Sequence, residues 1–339
     1  MNATKVIIDC DPGIDDALAL MLALRSPELE ILGITVVSGN VPAKQGAENA
    51  KKILHWMDRM DIPVYLGEEL PLVIPYVDAM DTHGTDGLGE SHYPKITDGI
   101  IHKNGVEFIA RTLQKAALEN EAVSVIALGP LTNLARVIQM YPDSLKGLGK
   151  LISMGGSYRS HGNCSPVAEY NYWCDPHAAE IIFRAFEELP VLQDKQIHMV
   201  GLDVTRKIVL TPNLLEYMCV TDPTMGERIR RITRFYFDFH WKQEGVIGCV
   251  INDPLAVAYF IDRSLCSGIN ACTRIATEGL CIGQSVVDGF DIWNGKKNTH
   301  VLTEVDGMRF MQMFLERLFQ IPPKKSLPVL EQILSGGVR

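Results

Sequence analysis

Four aspartates fall within eight residues of this sequence, in the run Asp9-Cys10-Asp11-Pro12-Gly13-Ile14-Asp15-Asp16. Carboxylates so concentrated can bind a hard cation, act as general bases or stabilise a developing positive charge. Val6-Ile7-Ile8, just before them, reads as a buried strand, and Ala17 to Leu24, just after, as a helix that is apolar almost all round. Asp15 and Asp16 would favour that helix's N-terminus by ~0.3–1 kcal/mol each. Capping leaves Asp9 and Asp11, at the end of a buried strand, without a reason. Two carboxylates ~5 Å apart repel by roughly 3 kcal/mol at an effective dielectric of about 20. Such a group calls for a cation, a shared proton or dense donor pairing. Oxygen ligands point to Ca²⁺ or Mg²⁺ rather than zinc.

Two known motifs can be tested on the run. An EF-hand loop counted from Asp9 fails, because Gly13 and Ile14 occupy its fifth and sixth positions. Asp9-x-Asp11 matches the strand-following D-x-D of Mg-dependent aspartyl phosphotransferases, but Gly13 stands where those carry Thr or Val, so this reading is kept only as an alternative. A Walker A loop, a G-x-S-x-G elbow and a G-x-G-x-x-G fingerprint are absent from the sequence.

Further apolar runs read as strands at 29–37, 123–128, 151–154 and 197–202. Helical periodicity appears at 43–57, 131–141, 176–186 and 308–319. Continuous β-branched runs separated by helices predict an α/β fold with a mostly parallel sheet covered on both faces. Ligands in such sheets bind at the carboxyl ends of the strands. A single domain over 1–339 is expected, with two lid segments: the Pro/Gly/Asp-rich 70–89 and the charged, aromatic 226–248.

The chain has 339 residues, is 47% hydrophobic and carries a formal charge of -9, which disfavours a nucleic-acid polymer as partner. Its eight cysteines form no C-x-x-C pair, and Cys10, Cys249 and Cys281 sit in apolar stretches, so buried thiols in a reducing compartment are expected. Neither a signal peptide nor an uncharged stretch near 20 residues is seen, which predicts a cytoplasmic protein away from membranes.

Several motifs follow one another along the chain: Asp11-Pro12-Gly13 with Asp15-Asp16-Ala17, then Ser38-Gly39-Asn40, Thr82-His83-Gly84 and Leu128 to Ala135 (LGPLTNLA). Met154-Gly155-Gly156, Val167 to Asn171 (VAEYN), Asp175-Pro176, Gly201 to Thr205 (GLDVT) and Asn252 to Val257 (NDPLAV) follow. With these, the sequence resembles the inosine-uridine-preferring nucleoside hydrolase family across nearly its whole length. The resemblance implies a Rossmann-like fold and calcium-dependent hydrolysis of ribonucleosides to ribose and free base. It implies Ca²⁺ held by Asp11, Asp16, the Leu128 carbonyl and Asp253, with Asp11 as general base for a metal-held water. Asp15, Asn40 and Asn171 would bind the ribose diol, Asn163 and Glu169 the 5′-hydroxyl, and Met154 would lie under the sugar. It also implies a homodimer or homotetramer.

The pattern breaks on the base side. The best-known members carry a His as leaving-group acid just before the last metal-binding Asp. This chain has Asn252 there, whose amide does not titrate near neutral pH. Asn252 is kept as a hydrogen-bonding residue, and His83 becomes the candidate acid. His240 is a second base-side candidate, sharing a helix face with Tyr236. A related ribosyl hydrolase with an unusual leaving group, and a binding protein without turnover, are the competing readings.

Overall fold

The computed structural model describes residues 3–334. In chain order its strands are β1 (Thr4–Cys10), β2 (Leu29–Val36), β3 (Val64–Leu66), β4 (Ile101–His102), β5 (Val123–Ala127) and β6 (Leu148–Met154). They continue as β7 (Ile197–Val200), β8 (Val209–Leu210), β9 (Cys249–Val250), β10 (Cys266–Ile275), β11 (Ser285–Asp288) and β12 (Thr299–Val305). The helices are α1 (Ile14–Leu24), α2 (Ala43–Trp56), α3 (Met80–His83), α4 (Gly105–Leu118), α5 (Thr132–Met140), α6 (Tyr170–Cys174) and α7 (Pro176–Glu188). After them come α8 (Leu202–Thr205), α9 (Pro212–Thr221), α10 (Pro223–Glu244), α11 (Asp253–Ile261), α12 (Gly307–Phe319) and α13 (Pro323–Leu334).

Among the described residues, ten strands form one sheet in the order β11-β10-β12-β7-β6-β5-β1-β2-β3-β4. Pairing is parallel from β4 across to β12, and antiparallel only where β10 joins β12 and β11. Alternation along β1 builds the two layers beside the sheet. Val6, Ile8 and Cys10 face one core with α1, α10, α11 and α12, while Ile7 faces the other with α4, α5 and α7. Every residue of α1 is buried, as its apolar circumference requires.

The chain runs outward from β1 through β2 to β4, then returns to place β5 on the other side of β1. That reversal opens a crevice beyond the carboxyl ends of β1 and β5, the place where open α/β sheets bind ligands. Asp9 pairs with Ala127 across this junction. The acidic run therefore lies at the switch point.

One segment gains detail and one expectation changes. Segment 70–89 contains the helical turn α3 and is tied down by Leu72 N–H to Asp175 (2.9 Å) and the Tyr76 hydroxyl to the Gly39 carbonyl (3.0 Å). Cys281 is exposed, not buried; all eight thiols are free. Strands β3, β4, β8, β9 and β11 are four residues or fewer, and the longer β10 mixes small and polar residues, so none carries an apolar run long enough to be read from sequence. No helix of the described residues is long and apolar enough to cross a membrane.

Candidate active site

Asp11 leaves β1 completely buried. Its Oδ2 accepts the Asn40 N–H at 2.7 Å, and its Oδ1 is buried without a hydrogen-bond partner. Gly39 and Gly129 crowd this carboxylate so closely that a Cβ at either position would collide with it, which explains both glycines. Asp16 partly does the capping expected of it, accepting the Gly13 N–H at 2.9 Å, and it also accepts the Asn40 side-chain amide at 3.0 Å. Asp253 opens α11 and is buried beside Asp16. Asp9 is turned away, held by the Thr35 hydroxyl and by Asn133 Nδ2 at 2.8 Å.

Burial, and then the charge of Asp16, push the Asp11 carboxyl well above the usual range. Burial and the charge of Asp15 push Asp16 up to about 7, and burial with Asp15 and Asp16 raises Asp253 well above normal. Oxygens of Asp15, Asp16 and Asp253 lie within 4.8 Å of one another. Asp11 is outside that trio, yet its Oδ1 is buried with no hydrogen-bond partner. An all-oxygen, mutually repelling, desolvated set of this kind fits a hard cation. The Leu128 carbonyl, just past β5, accepts Asn171 Nδ2 at 2.7 Å and keeps a second lone pair.

A cavity of about 460 Å³ opens over these groups, a size typical of small-molecule sites. On one wall, Asn171 is pinned by Leu128 and by the Met154 carbonyl at 3.2 Å, and Met154 itself ends β6. Glu169 caps α6 and accepts the N–H groups of Gly156 and Asn171, each at 2.8 Å. Burial nevertheless raises its carboxyl to about 7. Asn163 sits exposed at the rim, its Oδ1 occupied by the Tyr170 N–H at 2.9 Å.

The opposite wall is aromatic. His83 ends α3, is buried, and accepts the Ile14 N–H through Nδ1 at 3.0 Å. Its proton is thereby fixed on Nε2, and burial lowers its pKa. Tyr236 lies 5.2 Å from that ring and directs its hydroxyl at Asp15 (3.4 Å). His240 packs edge-on to Tyr236 at 4.4 Å and lines the same cavity. Asn252 gives its amide to Asp15 at 3.0 Å and leaves Oδ1 buried and unpartnered.

Residues 6–312 match the family model described as inosine-uridine preferring nucleoside hydrolase. The chain belongs to this family. It is accordingly an N-glycosyl hydrolase. A probable uridine nucleosidase 2 of Arabidopsis thaliana is 30% identical over 93% of this chain and 98% of its own. The pyrimidine-specific ribonucleoside hydrolase RihA of Escherichia coli is 32% identical, over 93% and 98%. Among solved structures, a purine-preferring ribonucleoside hydrolase from Gardnerella vaginalis superposes with a TM-score of 0.85 at 30% identity, covering 94% of this chain and 98% of that one.

Within this nucleoside hydrolase the fold brings Asp15, Asn40, Leu128, Met154, Asn163, Glu169, Asn171, Asn252 and Asp253 to one cavity with His83 and His240. Asp11 and Asp16 lie beneath it, joined to it through Asn40. Sequence reasoning missed the clamp around the rim. Arg206 donates to the carbonyls of His161 and Gly162 and to Glu244 (3.3 Å), joining the Asn163 loop to the end of α10. Asp203 accepts three successive N–H groups of that loop, from Tyr158 to Ser160. Asp203 stood in a noted motif, but nothing local in sequence announces the reach of Arg206.

Proposed function

We propose that this chain hydrolyses the N-glycosidic bond of ribonucleosides with Ca²⁺ in the carboxylate group and Asp11 as general base. The reading rests above all on the buried oxygens of Asp11, Asp16 and Asp253, whose carboxyls are raised first by burial and then by neighbouring aspartate charge, at the floor of a sugar-sized cavity. Asp11, Asp16, the Leu128 carbonyl and Asp253 would hold the ion. Bound there, Ca²⁺ would acidify a water and fix the sugar's hydroxyls.

Asp11 takes a proton from the attacking water. The water oxygen bonds to the anomeric carbon as the C–N bond breaks, and the base departs with that electron pair and gains a proton. Asp15, Asn40 and Asn171 bind the 2′- and 3′-hydroxyls, and Glu169 and Asn163 the 5′-hydroxyl, with Met154 under the ring. Carboxylates around the sugar stabilise its oxocarbenium-like transition state, and direct attack inverts the anomeric centre. With Nδ1 engaged by Ile14, His83 serves the leaving base as a neutral donor through Nε2–H. His240 and Tyr236 flank the base. Segments 70–89 and 226–248 act as the lid, the second only through its last turns, because Ile229 and Ile232 are core residues.

Asn252 favours a second reading in which the natural leaving group is modified, since its amide is spent on Asp15 and supplies no acid. The test is reducing-sugar release from a panel of purine, pyrimidine and base-modified ribonucleosides. Release from at least one is expected. Release confined to modified bases selects the second reading, and no release from any riboside contradicts both.

A further inference from the structure

At the other end of β6 from Met154, a second cavity of about 460 Å³ is walled by Lys150, Lys195, Arg263, Lys296 and Lys297. Gly149 in its wall is about 17 Å of strand from Met154. One carboxylate, Asp194, lines it. This concentration of positive charge runs against a chain whose net charge is -9.

Local structure explains part of it. Lys195 donates to the Leu148 carbonyl, and Lys296 to those of Phe186 (2.7 Å) and Leu192 (3.1 Å), so both satisfy backbone carbonyls. Lys297 faces Asp291 at 3.5 Å. Lys150 and Arg263 have no such reason. Among the described residues neither forms an ion pair; Lys150 lies over Phe260 at 5.8 Å and Arg263 over Tyr259 at 5.9 Å. His198, buried at the cavity floor, receives the Tyr259 hydroxyl or donates to it at 3.0 Å and meets Arg263 at 3.4 Å. Burial first, and then the charges of Arg263, His300 and Lys150, drive the His198 pKa down to about 3. The Lys150 ammonium is lowered by burial and by Arg263. The cavity thus holds more cationic than acidic side chains, with Lys150 and Arg263 outside any ion pair and Asp194 its one carboxylate.

We infer that this cavity is an oxyanion site, separate from the nucleoside pocket, that takes the phosphate of a small phosphomonoester. Arg263 offers a planar fork and Lys150 a point charge, the pair that phosphate recognition uses. Gln193 and Gln196 also line the cavity; Gln196 donates to the Lys297 carbonyl at 2.8 Å and keeps its amide oxygen for the ester's other hydroxyls. The volume suits a sugar phosphate or mononucleotide and excludes a polymer from full entry.

The test is calorimetric titration of the full chain at low ionic strength with ribose 5-phosphate, inorganic phosphate and neutral ribose. Saturable binding of ribose 5-phosphate is expected, weakened about tenfold or more in Arg263→Ala and in Lys150→Ala, as loss of one charge-assisted contact requires. Equal affinity for inorganic phosphate would assign the site to the free anion, and tighter binding of the ester to the phosphomonoester. Lys150→Met guards against a folding artefact. Its thermal midpoint without phosphate should equal or exceed the parent's, because a like charge is removed, while the rise in midpoint given by phosphate should shrink. No saturable binding, binding that survives both alanine variants, or displacement by neutral ribose would overturn the inference.

Discussion

Two cavities at opposite ends of the same parallel strands concentrate opposite charge. The acidic one is made of short side chains fixed to buried backbone. Asp11, Asp16 and Asp253 cannot swing into water, so their repulsion is answered by protonation or by a cation. The basic one is made of long side chains, with Lys150 and Arg263 exposed enough to keep their charged ends wet. A rigid, dry cluster suits tight ion binding and chemistry. A wet, flexible one suits reversible, salt-sensitive association. On the proposed reading, the same sheet would carry a reaction site at its carboxyl edge and a weaker recognition site at its amino edge.

The contrast breaks most sharply on Asp11. Asp11→Asn should lower kcat by about 10²–10⁴-fold, the usual worth of a general base, while Lys150→Ala leaves kcat unchanged. Near-normal turnover of the Asp11 variant would remove Asp11 as base. His83→Ala is expected to slow nucleosides with poor leaving groups by roughly ten- to a hundredfold, the loss of one directed hydrogen bond, and p-nitrophenyl riboside much less. Equal losses on both substrates would argue against a role at the base.

The smallest effect concerns pH. Folding lifts the Glu169 carboxyl from 4.5 to about 7, so the folded chain retains a proton that the unfolded chain releases. That preference is full below about 4.5 and is lost as pH rises through about 7. Glu169→Gln cannot titrate, so its stability measured by denaturation should fall less between those values than the parent's. An unchanged slope would place the titration elsewhere.

How much of this was legible in the sequence follows from locality. The acidic site begins in one eight-residue run after an apolar strand, and Asp9 to Asp16 announce it without help from distant parts. Asn40, His83, Asn171 and Asp253 came from motif order, and the fold brings them to that run because β1 and β5 meet at the switch point. Tyr236 was read only as a neighbour of His240, since its approach to Asp15 depends on how α10 crosses the crevice. The basic cavity draws on segments near 150, 195, 263 and 296, each unremarkable alone, so no window of sequence displays it. Likewise β10, whose CSGINACTRI mixes small and polar residues, is a strand because β12 and β11 pair with it on either side.

The central claim is that the acidic cavity works through a hard cation. Its most direct test is ribose release by the full chain stripped of divalent ions, measured before and after calcium is restored. The account predicts that stripping abolishes release and that calcium restores it while leaving the fold intact by circular dichroism. Release that is undiminished by stripping would contradict it.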